Sequence, residues 1–324
     1  MPLTRKRFLG LAGRGALGAA ACSTFGFLDR AEAALGSDGK PCERKPPHLP
    51  FRYRGAAVGV RGEITDPPHG RIPEQAAITL DERGGYKSTT LDDGFDFKGI
   101  VYVNAAYGLV TGNPDLKSCE PVFRTVVTSA VNGLDVDGVL RATSIVANLE
   151  SQQPEKRGTA QEKEPWELVM VPVGYFDNLR IRGHRIGDLG PGDHLRSLAK
   201  AKKSEIDRDI VREVRETDQM MAREATEGDH GCRLGHVYHE GLGGEKYYCS
   251  IFSDKSIKTA VKGIPGLTAC KGGRIHVDDL GDIYLGRLFV ADDYRQLTML
   301  RIEFNSPPTG WTDCASVEGD GKPS

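Results

Sequence analysis

The sequence predicts a mainly β protein, with antiparallel, sandwich-like sheets and one long helical insertion at about 193–227. Three observations predict it. From residue 51 onward, runs rich in β-branched and aromatic residues alternate apolar with polar positions, as half-buried strands do. Gly, Asn, Asp and Pro interrupt those runs at short intervals, where hairpins and loops need them. Only one segment abandons the two-residue period for steps of three and four.

The chain begins with a basic stretch, Thr4-Arg5-Lys6-Arg7, followed by an Ala/Gly/Leu-rich run and by Ala31-Glu32-Ala33, a small-x-small cleavage site before Ala34. Arg14 lies inside the apolar run. A charge at the centre of a membrane helix costs about 2.5–3.5 kcal/mol, which argues for a cleaved export signal rather than a span. Residues 1–33 are therefore expected to be a signal peptide. Residues 34–50, with prolines, glycines and charges but no apolar period, are expected to be a linker.

A β domain is expected over 51–190, with strands at 56–64, 99–110 and 123–131. Turns are expected at 66–68, 84–85, 92–94, 112–114, 132–133 and 137–138. A short motif, an alternating apolar run closed by Gly and another apolar residue, recurs at 58–64, 134–140, 179–186 and 283–288. Its irregular spacing predicts recurring hairpins in a sandwich rather than a solenoid.

The helical insertion, 191–228, carries Leu195, Leu198, Ile206, Ile210, Val214, Thr217 and Met221 on one stripe, with dense charge elsewhere. A second β region, packed with the first, follows at 229–316. It opens with a hairpin of 232–239 and 246–252 and continues through strands at 274–290 and 297–304, joined by a turn at 291–296. Residues 317–324 read as a disordered tail.

The formal net charge is −2, and loss of Arg5, Lys6, Arg7, Arg14 and Arg30 with only Asp29 and Glu32 makes the remainder more acidic. That balance argues against a nucleic-acid partner, which requires a basic face. Of seven cysteines, Cys22 lies in the signal. Cys42, Cys119, Cys232, Cys249, Cys270 and Cys314 remain, an even set that reads as disulfides in an oxidising compartment. The hairpin places Cys232 and Cys249 roughly opposite each other, so these two are the expected pair.

The densest group of ligand-type side chains is His230, Cys232, His236, His239 and Glu240, whose imidazoles and thiolate suit zinc or copper. On one strand His230 and His236 face one side and His239 the other, and no strong metal signature matches the spacing. The aspartates Asp278, Asp279, Asp282, Asp292 and Asp293, and the run Asp92-Asp93-Gly94-Phe95-Asp96, read as turn and edge residues rather than as glycosidase carboxylates or a calcium loop. Trp166, Tyr175 and Trp311 would serve a sugar-stacking platform only on a shared open face. No nucleophile elbow, phosphate-cradling loop or dinucleotide fingerprint occurs.

The residues Thr4 to Gly10 resemble the bacterial twin-arginine translocation motif, with Lys6 in place of the second arginine. The resemblance implies export as a folded protein. Ala19-Ala20-Ala21-Cys22 is similar to a degenerate lipoprotein signal, which implies a lipid anchor at Cys22 as the alternative to cleavage after Ala33. Over 51–150 the Gly-rich alternation around Asn132-Gly133-Leu134 and Gly138-Val139-Leu140 looks similar to secreted choice-of-anchor-type bacterial β proteins, and implies a surface location. The expected function is that of an exported, non-enzymatic structural or binding protein of the periplasm, cell surface or extracellular space, with a protein or carbohydrate ligand. The alternative is a metal-dependent hydrolase or oxidoreductase centred on the 230–240 cluster.

Overall fold

A computed structural model describes residues 51–115, 122–154, 169–187, 189, 247–270, 272–291, 294–305 and 308–323. The expected signal (1–33, with Cys22), the linker, the helical insertion, Trp166, the cluster from His230 to Glu240 and the aspartates Asp292 and Asp293 lie outside the described residues. All the described residues fall within one compact unit, Arg44–Ser324.

Two antiparallel sheets form the fold, as the strand patterning predicts. The N-terminal strands are β1 (Phe51–Ile64), β2 (Gly70–Gln75) and β3 (Ile78–Thr79). Next come β4 (Gly85–Leu91), β5 (Phe95–Phe97), β6 (Val101–Val103), β7 (Ala105–Asp115), β8 (Val122–Val136) and β9 (Leu140–Pro154). After β10 (Val169–Asp177), a small hairpin is made by β11 (Arg180–Ile181) and β12 (His184–Arg185). β13 (Tyr247–Ser250) leads through helix α1 (Asp254–Val261) to β14 (Leu267–Ala269) and β15 (Arg274–Val277). Three long strands close the chain: β16 (Gly281–Ala291), β17 (Tyr294–Asn305) and β18 (Thr309–Pro323).

The first sheet runs β14-β15-β16-β17-β18-β1-β2, with β13 beside β16 and β3 beside β1. The second runs β12-β11-β9-β8-β6-β5, with β10 beside β9 and β7 bridging β8 and β4. The sheets pack face to face: β1 over β7 and β8, β18 over β8 and β9, β17 over β9. One continuous apolar core lies between them, including Val60, Ile64, Val127, Leu149, Ile283, Leu300, Ile302 and Val317. The division at residue 190 does not coincide with a sheet boundary, because β1 to β3 join the C-terminal strands.

Several expectations are corrected. The tail is strand: β18 pairs with β1 from Gly310 to Pro323, so 317–323 is ordered. Its Gly, Asp and Lys residues read as a tail, but without it the backbone groups of β1 from Phe51 to Ala57 would lack this partner strand. Asn132-Gly133 is not a turn but lies inside β8. Gly133 has φ +62 and leaves no room for a Cβ against the Asn104 side chain, a bulge that also divides the expected strand 99–110 into β6 and β7. Gly112-Asn113-Pro114 lies inside β7; β4 pairs with β7 only as far as Gly112, so Pro114 occupies a sheet edge that tolerates it. Of the recurring motifs, 134–140 and 179–186 are hairpins, whereas 58–64 and 283–288 each lie within a single strand.

A crease crosses the first sheet. Regular pairing is interrupted at Gly59, Ala315, Met299 and Gly286, which stand at one level in β1, β18, β17 and β16. Ala315 and Gly286 have φ +51 and +60. On each strand the parity of buried apolar positions changes there, from Ala57 to Val60 in β1 and from Leu297 to Leu300 in β17. Because all four strands carry the extra residue together, the registers on both sides stay in phase.

Candidate functional site

Beyond the crease, alternation turns Val60, Gly62 and Ile64 inward, and so Arg61 and Glu63 outward. Registers extend this outer face across five strands. Arg61, Asp313, Arg301, Tyr284 and Arg274 stand opposite one another in β1, β18, β17, β16 and β15. The next row is Glu63, Trp311, Glu303, Asp282 and His276.

The two rows are interlocked. Arg61 Nε lies 3.4 Å from Asp313 Oδ2, and its Nη1 lies 3.8 Å from Glu74. Arg301 donates to Asp313 Oδ1 at 3.1 Å and to Glu303 Oε1 at 2.9 Å, and its guanidinium sits 4.8 Å from the centre of the Trp311 ring. Tyr284 donates to Glu303 Oε2 at 3.2 Å. Asp282 receives His276 Nδ1 at 2.8 Å and Arg274 Nη1 at 3.5 Å.

Burial gives these contacts weight. The Asp313 and Arg274 side chains are only 5% and 7% exposed, well below the exposure at which an ion pair is worth almost nothing. Burial alone would lower the Arg301 pKa, but Asp313 and Glu303 outweigh it and raise the value. Burial, with Glu303 and Asp282 adding to it, pushes the Tyr284 phenol up to about 12. Near neutral pH Tyr284 is therefore a neutral donor and Arg301 a fixed cation. The patch is chemically suited to holding charges still.

The aspartates singled out in the sequence disperse. Asp279 pairs with Arg182 of the β11–β12 turn, and the Asp278 backbone N–H donates to Gly266 O at 3.1 Å. Asp282 belongs to the patch just described. Asp96 Oδ1 accepts from the Gly99 N–H at 2.9 Å, and Asp92 accepts from Thr90, contacts made within turns. Cys249 lies on β13 opposite Leu288. Cys270 is disulfide-bonded, and Cys314 is a buried free thiol whose pKa is raised by burial and then by Asp313. Trp311 and Tyr175 lie in different sheets, so they share no stacking platform. Among the described residues no group of three or more His, Cys, Asp and Glu could hold a metal ion.

Sequence reasoning did not single out Arg61, Arg301, Glu303 or Asp313. A signal was present: Arg301-Ile302-Glu303-Phe304 and Trp311-Thr312-Asp313-Cys314 alternate charged or aromatic with buried positions. What the sequence lacks is the register that makes neighbours of residues up to 252 apart.

Fold and patch together define an antiparallel β-sandwich with an ordered, interlocked polar outer face. A family model described as a domain of unknown function, DUF8256, matches residues 51–291, and the chain belongs to that family. Neither the curated proteins nor the solved structures give a match. The matched region ends before β17 and β18, which supply Arg301, Glu303, Trp311 and Asp313 to the patch.

Proposed function

We propose that this protein is an exported, non-enzymatic binding or structural component of the bacterial periplasm, cell surface or extracellular space. The observation that carries the reading is Arg301, held at once by Glu303 and Asp313 and lying over Trp311. Side chains fixed in this way lose little freedom when a partner docks, which favours recognition by complementarity. The basic start at Thr4 to Arg7 and the Ala31-Glu32-Ala33 site support export, by a route that takes folded cargo. The Cys232–Cys249 disulfide belongs to the same reading, as does a protein or carbohydrate ligand.

The test is to express the full chain in a bacterium that exports folded proteins and to recover the product by cell fractionation. The expected product starts at Ala34, yields a linked Cys232–Cys249 peptide without reduction, and lacks stoichiometric zinc or copper. Arg5→Gln with Lys6→Gln should hold the precursor inside the cell. One equivalent of zinc or copper would contradict the reading and favour a metal-dependent enzyme at His230, His236, His239 and Glu240. A lipid-modified Cys22 would replace cleavage with anchoring and leave the binding role standing.

A further inference from the structure

β4 is an open edge of the second sheet. Its seven residues pair with β7 from Gly85 to Leu91, and no strand among the described residues pairs with its other side. The backbone N–H and C=O groups on that side are a template for a further strand. The remaining edges are blunted: β3, β5, β12, β13 and β14 have two to four residues each, while β2 carries Pro73 and β10 carries Pro172. β4 has neither device. It reads Gly-Tyr-Lys-Ser-Thr-Thr-Leu, a strand-forming run with no proline and one charge, Lys87, which lies 3.0 Å from Asp81 Oδ1.

The side chains along this edge stand in solvent. Tyr86 is 57% exposed, and Ser88 and Thr90, which alternation puts on the same face, are exposed as well. A charge lies beyond each end of the strand. Arg83 before it and Asp93 after it are both exposed, and neither has an ion-pair partner among the described residues. An edge with opposite charges at its two ends is complementary to its own reverse, which is the requirement of an isologous contact.

We propose that β4 is a self-association edge, at which two copies of this chain pair β4 with β4, antiparallel, about a two-fold axis that sets Ser88 opposite its own copy. This register puts Tyr86 opposite Thr90 of the other copy, an aromatic and β-branched pair, and Lys87 opposite the uncharged Thr89. It also brings Arg83 alongside the other copy's Asp93, and by symmetry does so twice. Centring on Lys87 would oppose two lysines, and centring on Thr89 would put Tyr86 opposite Asp92. Because the other edges are blunted, the contact closes on itself as a dimer and does not propagate into a fibre. The pairing requires neither export nor a ligand, so it goes beyond the role proposed above and is tested separately from it.

The experiment is sedimentation of the purified full chain from low to high micromolar concentration. A reversible equilibrium between monomer and dimer is expected, since one short edge makes a small contact. Asp93→Arg sets the new charge against the other copy's Arg83 and should weaken the dimer about tenfold, whereas Arg83→Asp/Asp93→Arg should restore it. Ser88→Cys, at the axis, should give a disulfide-linked dimer on oxidation, and Thr90→Cys, displaced from it, should not. All four positions are exposed, so the melting temperatures should not change, which separates lost pairing from lost folding. A monomer at every concentration would overturn the proposal and leave the edge to a strand of another protein. A dimer indifferent to Asp93→Arg, a charge swap that fails to restore it, a link through Thr90→Cys in place of Ser88→Cys, or growth beyond the dimer would overturn it as well.

Discussion

Tyr53 buries its ring against Phe51 and Phe123, and its hydroxyl has no hydrogen-bond partner among the described residues. Leaving a buried hydroxyl unpaired costs about 1–3 kcal/mol, so Tyr53→Phe should be neutral or stabilising by about 1 kcal/mol in urea unfolding. Burial also pushes the phenol up to about 12. The folded value exceeds the unfolded value of about 10, so stability is retained below pH 10 and falls as pH rises toward 12. Tyr284 contributes a fall of the same sign over the same window. The Phe variant should show a shallower loss between pH 10 and 12; an identical slope would place the Tyr53 hydroxyl in water.

Glu150 presents the opposite case, a fully buried carboxylate that lies 2.6 Å from Arg124 Nε and accepts from Gln152 Nε2 at 2.6 Å. Glu150→Ala leaves the arginine without this carboxylate and should cost about 3 kcal/mol in the same unfolding measurement. A change near zero would mean that water reaches the pair.

At the scale of elements, the crease and the helix give contrasting expectations. A Cβ on Gly286 would lie within 2.5–2.8 Å of Ile251 and Phe252 atoms, and the residue has φ +60. Gly286→Ala should therefore lower stability by about 2 kcal/mol or more. In α1, Ser253 caps the first turn by accepting from the Ser256 N–H at 3.1 Å, so Ser253→Ala should cost only about 1 kcal/mol. Thermal melts of the two variants rank the elements, and a reversed order would deny that the crease is tightly packed.

Long alternating runs such as those of β1, β8 and β17 were legible in the sequence because each buries one face, and the turn at Asp137-Gly138 was legible from its residues. Helix α1 was not. It offers only Ile257 and Val261 as buried positions, too few to establish a period. The Arg301 patch was half legible: the outward positions could be read from alternation, but their partners come from pairings across the sheet.

For the whole molecule, the decisive feature is that β18 lies between β1 and β17, joining the first strand of the fold to the last ones. It supplies Asp313 and Trp311 to the polar face and Cys314 and Val317 to the core, so both faces of the first sheet depend on it. Hydrogen exchange of the intact chain, followed by mass spectrometry, tests this most directly. Amides from Thr312 to Val317 should exchange only through global unfolding, as slowly as those of Val126 to Val131 in the middle of β8. Exchange of Thr312 to Val317 within seconds, as in a free tail, would contradict the account.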